Sequence, residues 1–268
     1  MRWMVNSAAV VSMILMTACG GGGGGAETAP PAANASVGGL WRSSAGNVQG
    51  SVLVTEDGRV FGSSVNLTNN CVVLTYGSVT TSGTALTGAT VGTIAQASVG
   101  TVLPECTLPD GSQSAVSILS GSFEPRTSMT LTSTVTTSLG LPLGSSTTTL
   151  RFDPLYRVPS SLAAVAGSWT GPTGNAVTIS AGGVLSAFDP GSGCLLRGQV
   201  LVIDPAYNAY SVTGSISGCG ASALILNGAS VRALMMIDNS VTPHRLVVGQ
   251  ENTLLNGTKL VAVSVSTR

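Results

Sequence analysis

Two stretches decide the fold: VGGLWRSSAGNVQGSVLVTEDGRVFG at 37–62 and VAGSWTGPTGNAVTISAGGVLSA at 165–187. Each reaches a tryptophan early, Trp41 or Trp169, and then alternates apolar and polar residues on both sides of a Gly-containing turn. A period of two marks a half-buried strand. Glu56-Asp57-Gly58 and Gly182-Gly183 supply the turn chemistry that joins such strands into hairpins.

Working outward, the landmarks after each tryptophan come in the same order. A cysteine precedes an X-G-X-V step in CVVLTYGSV and in CLLRGQV, and a second cysteine follows. ILSGSFEPRTSMTLT then lines up with ILNGASVRALMMID, and TTTLRF with LVAVSVSTR. This order reads as a duplication, with copies over 37–157 and 160–268. SMTLTSTVTTS, STTTLRF and LVIDPAYNAYSVTGSIS add further strands, and the one helix expected is a short turn within SSLAAVAG, 160–167.

Composition agrees. The chain is 43% hydrophobic and only 8% charged, with balanced charge, so it lacks the basic footprint of a nucleic-acid binder. Val and Thr favour pleated sheet, and Gly punctuates it. The class is all-β, with two tandem antiparallel barrel or sandwich repeats of about eight strands each. A closed barrel would remove the exposed edges that this lysine-poor chain does little to protect. The alternative is one larger sandwich or barrel built from both halves.

Five cysteines are present, and setting Cys19 aside leaves four, two per copy: Cys71 and Cys106, Cys194 and Cys219. In an exported chain an even set reads as disulfides. Four cysteines allow three pairings, and the repeat favours the one within each copy. Neither pair has C-x-x-C spacing, and His244 is the sole histidine, so no metal or cofactor is expected.

The export reading comes from the N-terminus. Arg2, an apolar run from Ala8 to Met16 and the small residues Thr17 and Ala18 form a signal peptide over 1–18, too short to span a bilayer. The tetrapeptide MTAC resembles the lipobox of bacterial lipoproteins, with Met16 where Leu is usual. That resemblance implies a lipidated Cys19 as the mature N-terminus and the lipid bilayer as its partner. Because Gly20 rather than Asp follows, it also implies an outer-membrane address. Residues 19–36 would then be a flexible tether reaching roughly 20 Å. They lack the GK[ST] ending of a phosphate-binding loop. A Gly-rich leash of this kind is similar to that of surface lipoproteins of the transferrin-binding type, and the GLW and GSW steps resemble the opening of lipocalin-like barrels.

Catalysis is not expected. His244 lies in VTPHR, a turn-like context, and no G-x-S-x-G elbow occurs. The acidic residues Glu56, Asp57, Asp110, Asp153, Asp189 and Asp204 all stand beside turn residues, which accounts for them structurally. Two function classes remain: a non-catalytic binding module for a small ligand or protein partner, and a structural or assembly lipoprotein of an envelope complex. Hollow, open barrels would favour the first, and filled barrels with one broad apolar patch the second. For a binding module, the loops around Asn69–Asn70 and Gly191–Gly193 are the expected capture sites.

Overall fold

The computed structural model describes residues 36–45, 48–68, 71–96, 106, 108–112 and 114–268. The signal segment, Cys19, the tether up to residue 35 and Asn69–Asn70 lie outside the described residues.

The chain forms two closed antiparallel barrels of eight strands each. Barrel 1 runs through β1 (Gly39–Ala45), β2 (Val48–Val54), β3 (Arg59–Asn66), β4 (Cys71–Ser82), β5 (Ala85–Gln96), β6 (Ser114–Glu124), β7 (Ser128–Thr137) and β8 (Pro142–Asp153). After a 3-10 turn at Pro154–Arg157 and a single helical turn α1 (Leu162–Val165), barrel 2 follows. Its strands are β9 (Gly167–Thr170), β10 (Ala176–Ile179), β11 (Val184–Phe188), β12 (Leu195–Val202), β13 (Tyr210–Ser217), β14 (Ser230–Asp238), β15 (Arg245–Thr253) and β16 (Lys259–Thr267). Within each barrel every strand pairs with its neighbours in sequence. The seams close where β8 meets β1 at Trp41 and Phe152, and where β16 meets β9 at Thr267 and Thr170. The single larger sandwich is thereby excluded, and α1 falls within the segment expected to turn.

Each barrel has a filled end. Trp41 and Trp169 are buried there, and each indole Nε1 donates to a carbonyl four residues back, Val37 at 3.1 Å and Val165 at 2.9 Å. Val54, Val60, Leu86, Phe123 and Met129 surround Trp41 and leave a gap of only about 10 Å3. Ile179, Leu185, Val200, Tyr210 and Ile237 surround Trp169, with Val165 of α1 as the lid. Truncating either tryptophan to alanine would cost roughly 3–5 kcal/mol. The fourth and fifth strands of each barrel press together through glycine. A Cβ on Gly77 would stand 2.1 Å from the Ala89 carbonyl, and one on Gly198 would stand 2.4 Å from that of Thr213. Only glycine permits backbones to approach so closely in a tightly coiled small barrel.

One landmark of the repeat is misassigned by sequence. Ile118 to Gly121 lies inside β6, whereas Ile225 to Gly228 ends a 3-10 turn that precedes β14. Gly121 is a strand residue crowded by the Thr130 carbonyl, whereas Gly228 serves a turn at φ +80°. The element that corresponds to β6 is β14 itself.

The filled ends are joined by residues 154–166. Asp153 caps the 3-10 turn, its Oδ1 accepting from Leu155 N at 2.9 Å, and its other oxygen accepts from Arg42. Tyr156 is fully buried and stacks on Tyr207 with ring centroids 5.1 Å apart. The guanidinium of Arg126, from the β6–β7 turn, lies 4.5 Å from the Tyr207 ring, 5.2 Å from Tyr156 and 5.5 Å from Phe152. It donates to Glu56 Oε1 at 2.7 Å and to the Gly38 carbonyl. Glu56 keeps its place in the turn read above, and its carboxylate also turns inward to hold a cation. Desolvation works against the Arg126 charge, but the hydrogen bond and charge of Glu56 outweigh it and hold the group above its ordinary value. Burial, reinforced by the Glu56 charge, pushes the Tyr156 phenol well above its usual range.

The barrels also pack side by side. Phe61, Leu74 and Tyr76 from the outer face of β3–β4 meet Leu234, Met236 and Val261 of barrel 2. Phe61 lies flat over Gly249, where a Cβ would come within 2.2 Å of its ring. Val261 N donates to Thr93 Oγ1 at 3.0 Å.

Candidate functional site

The ends opposite the tryptophans are open, and both disulfides sit there. Cys71, at the start of β4, is bonded to Cys106, and Cys194, just before β12, to Cys219, just after β13. Both bridges lie within a copy, and they tie equivalent loops in the two barrels. They hold the mouths where the strands alone would leave loop ends free.

Barrel 2 holds a cavity of about 400 Å3 at its mouth. Inward-facing side chains wall it: Val212, Val231, Ala233, Met235, Leu246 and Val248. Thr173, Asp189, Ser192 and Gln250 stand among them as polar groups. The Asp189 carboxylate is already engaged, accepting from Ser192 Oγ at 2.6 Å and Gly191 N at 3.1 Å, so it shapes the rim. Ser192 places the Gly191–Gly193 segment on the lip of this cavity, where the sequence suggested a capture loop. Four large apolar side chains are exposed on the rim loops: Phe188 at 46%, Leu224 at 61%, Ile225 at 64% and Leu255 at 82%. An apolar lip continuous with an apolar chamber gives a water-averse molecule a graded path inward.

Barrel 1 holds a cavity of about 460 Å3. Its wall mixes Val60, Leu119, Leu131 and Val135 with Ser64, Thr75, Ser117, Ser133 and Ser146. Both chambers fall in the size range of small-molecule sites.

A third recess, of about 350 Å3, lies between the barrels. Glu251, its side chain only 2% exposed, accepts from Arg232 at 2.7 Å and pairs with Lys259 at 3.2 Å. The Glu251 hydrogen bond and charge hold the Arg232 guanidinium above its ordinary value, and burial pushes the Tyr76 phenol up. Arg59 of the same recess is held by Asp57. These cations are already paired, each within its own barrel. Sequence reading missed Glu251, because a carboxylate within QENT on a strand carries no sign of burial.

His244 is exposed on the β14–β15 loop, at the filled end of barrel 2 and away from its cavity. Among the described residues, no three His, Cys, Asp or Glu side chains gather as a metal site. No acid–base pair faces either chamber among the described residues that line them.

No protein-family model matches the sequence, and no curated protein sequence does. Among solved structures, Aeromonas veronii immune modulator A aligns over 88% of this chain and 94% of its own at 13% identity, with a TM-score of 0.35. At that score the likeness carries no argument. The twin barrel rests on its own strand pairing.

Proposed function

We propose that this protein is a non-catalytic carrier of the cell envelope, lipid-anchored through Cys19, which shelters a small apolar ligand in barrel 2. The observation that carries the reading is the open, apolar-walled chamber of about 400 Å3 with apolar side chains around its lip. A brace for an envelope complex has no need of hollow barrels, so the carrier reading is preferred to the structural one. Removing a few methylenes from water at about 0.8 kcal/mol each is enough to hold such a ligand reversibly.

The test is titration of the full mature chain with octane, followed by calorimetry and by the fluorescence of Trp41 and Trp169. Saturable uptake is expected. Ala187→Phe, which fills the barrel 2 chamber from β11, should abolish that barrel's share, and His244→Ala should leave it unchanged. Absence of saturable uptake by the folded chain would defeat the proposal. The anchor is tested separately. Intact-mass analysis should find acyl mass on a chain starting at Cys19, and Cys19→Ser should release the protein from membranes.

A further inference from the structure

The two barrels close unequally. In barrel 1 the first and last strands share three pairs, Leu40–Asp153, Trp41–Phe152 and Arg42–Arg151, whereas in barrel 2 β16 meets β9 at Thr267 and Thr170 alone. On its other side β16 is fully paired, with every residue from Lys259 to Thr267 opposite β15. Antiparallel partners alternate between pairs that exchange backbone bonds and pairs that do not. Leu254 N donates to the Thr258 carbonyl at 2.8 Å, and Arg268 N to that of His244 at 3.2 Å. The even-numbered residues of β16 therefore aim their amides at β15, and the odd-numbered ones aim theirs away. Val261 obeys this, its amide donating to Thr93 of barrel 1, and Thr267 faces Thr170. Between them the amides and carbonyls of Val263 and Val265 face no strand.

The sequence supplies the cause. Extending the Thr170–Thr267 register sets Pro172 opposite Val265, and proline has no N–H to donate. The chain leaves the seam there: Gly171 N donates to Asn175 and Gly174 N back to Gly171, closing a turn. The seam is open in space as well. The barrel 2 cavity is lined by Ser264 and Ser266, which stand opposite Val248 and Leu246 on the inward face. It is also lined by Val263 and Val265 of the outer face, 40% and 37% exposed, so it wraps round the edge of β16. From Leu260 to Ser266 the strand carries no charge and no proline, the devices that keep a free edge from pairing. We propose that β16 is an acceptor strand: an extended segment of a partner protein adds to its free edge and hydrogen-bonds the backbone of Val263 and Val265. The interval is bounded by Thr170 of β9 at one end and by Thr93 of barrel 1 at the other. It suits one extended segment of about five residues rather than the edge of a second folded barrel. Alternate side chains of that segment enter the chamber among Val212, Met235 and Leu246, and the others lie beside Val263 and Val265. The matching partner segment is uncharged, β-branched and free of proline. This goes beyond the carrier reading and does not depend on it.

The experiment titrates the full mature chain carrying Cys19→Ser into a fluorescein-labelled, end-blocked heptapeptide of alternating threonine and valine, read by fluorescence anisotropy. Saturable binding is expected. Two further peptides are methylated on the backbone nitrogens of the valines or of the threonines. A strand added to one edge offers it only alternate amides, so one of these peptides should bind about tenfold or more weaker while the other binds like the parent. Val265→Pro removes an outward amide and leaves the β15 ladder whole, so it should weaken the parent peptide about tenfold with little change in melting temperature. Ser264→Pro breaks the ladder and should lower the melting temperature. No saturable binding, equal binding of the two methylated peptides, or binding untouched by Val265→Pro would overturn the proposal. Sedimentation of the peptide-free chain tests the rival occupant: a dimer abolished by Val265→Pro would assign the edge to a second copy and overturn the proposal too. Octane uptake by the peptide-free chain reports on the carrier reading, so each can fail alone.

Discussion

Arg126→Ala should loosen the filled ends of the two barrels. The substitution removes the 2.7 Å bond to Glu56, the bond to the Gly38 carbonyl and a cation set against three aromatic rings. It leaves the Glu56 carboxylate with the Tyr156 hydroxyl at 3.3 Å and the Ser36 hydroxyl. Breaking one side of a fully buried pair costs about 3–5 kcal/mol. Here the partners' side chains are 18% and 21% exposed, so water screens part of the loss and roughly 2–4 kcal/mol is expected. The backbone adds a control. Arg126 sits at φ +54°, where any residue with a Cβ is strained by about 1–2 kcal/mol. Arg126→Gly deletes the same contacts but relieves that strain, so it should be less harmful than Arg126→Ala by about 1 kcal/mol after glycine's greater freedom in the unfolded chain is counted. Urea unfolding followed by tryptophan fluorescence measures both. A loss below 1 kcal/mol for Arg126→Ala, or a glycine variant worse than the alanine one, would refute the account.

Three further outcomes follow from particular contacts. Gly249→Ala drives a methyl group into the Phe61 ring and should cost about 1–3 kcal/mol, with Phe61→Ala in the same chain recovering part of it; a neutral thermal melt would count against the side-by-side interface. The disulfides close segments of 35 and 25 residues, so Cys71→Ser with Cys106→Ser, or Cys194→Ser with Cys219→Ser, should cost about 3.5–4 kcal/mol in the loop-entropy model, and a mapped peptide joining Cys106 to Cys194 would contradict both bridges. Desolvation pushes the Asp57 carboxyl up, but its bonds to Arg59 and Thr55 prevail and hold it below its ordinary 3.8. A depressed carboxylate contributes stability that is fully present above its unfolded value and is lost as the pH falls through the folded one. Asp57→Asn should therefore flatten the stability curve below about pH 4, and an unchanged acid limb would argue against that pairing.

The architecture was legible because its signals are local and repeated. Trp41 and Trp169, the Glu56–Gly58 and Gly182–Gly183 turns and the paired cysteines occur in the same order, so each copy supports the reading of the other. What misled was identity of letters without identity of role. ILSG and ILNG look alike, yet Gly121 is pressed against a neighbouring strand and Gly228 turns a corner. Glu56 and Glu251 were illegible for a different reason. Arg126 reaches Glu56 from a turn 70 residues away, which only the folded barrel brings near, whereas Arg232 stands directly across the β14–β15 hairpin from Glu251, a register that the sequence does not reveal until the strand ends are known.

The chambers were the hardest feature to read, because a cavity consists of what side chains leave unfilled. Strand alternation says which residues face inward; it does not say whether they meet across the barrel. At the tryptophan end they do, and only about 10 Å3 stays empty; toward the mouth of the same barrel about 460 Å3 stays open. The difference lies in residue size at a few inward positions, with Phe123, Met129 and Trp41 at one end and Ser117, Ser133 and Ser146 at the other. Substitution at the mouth can therefore change what a barrel encloses while the filled end keeps it folded. In barrel 2 the walls are apolar around Met235 and Leu246, and in barrel 1 they carry hydroxyls. The filled end and the open end of one barrel are thus set by different residues of the same strands, so one can change without the other.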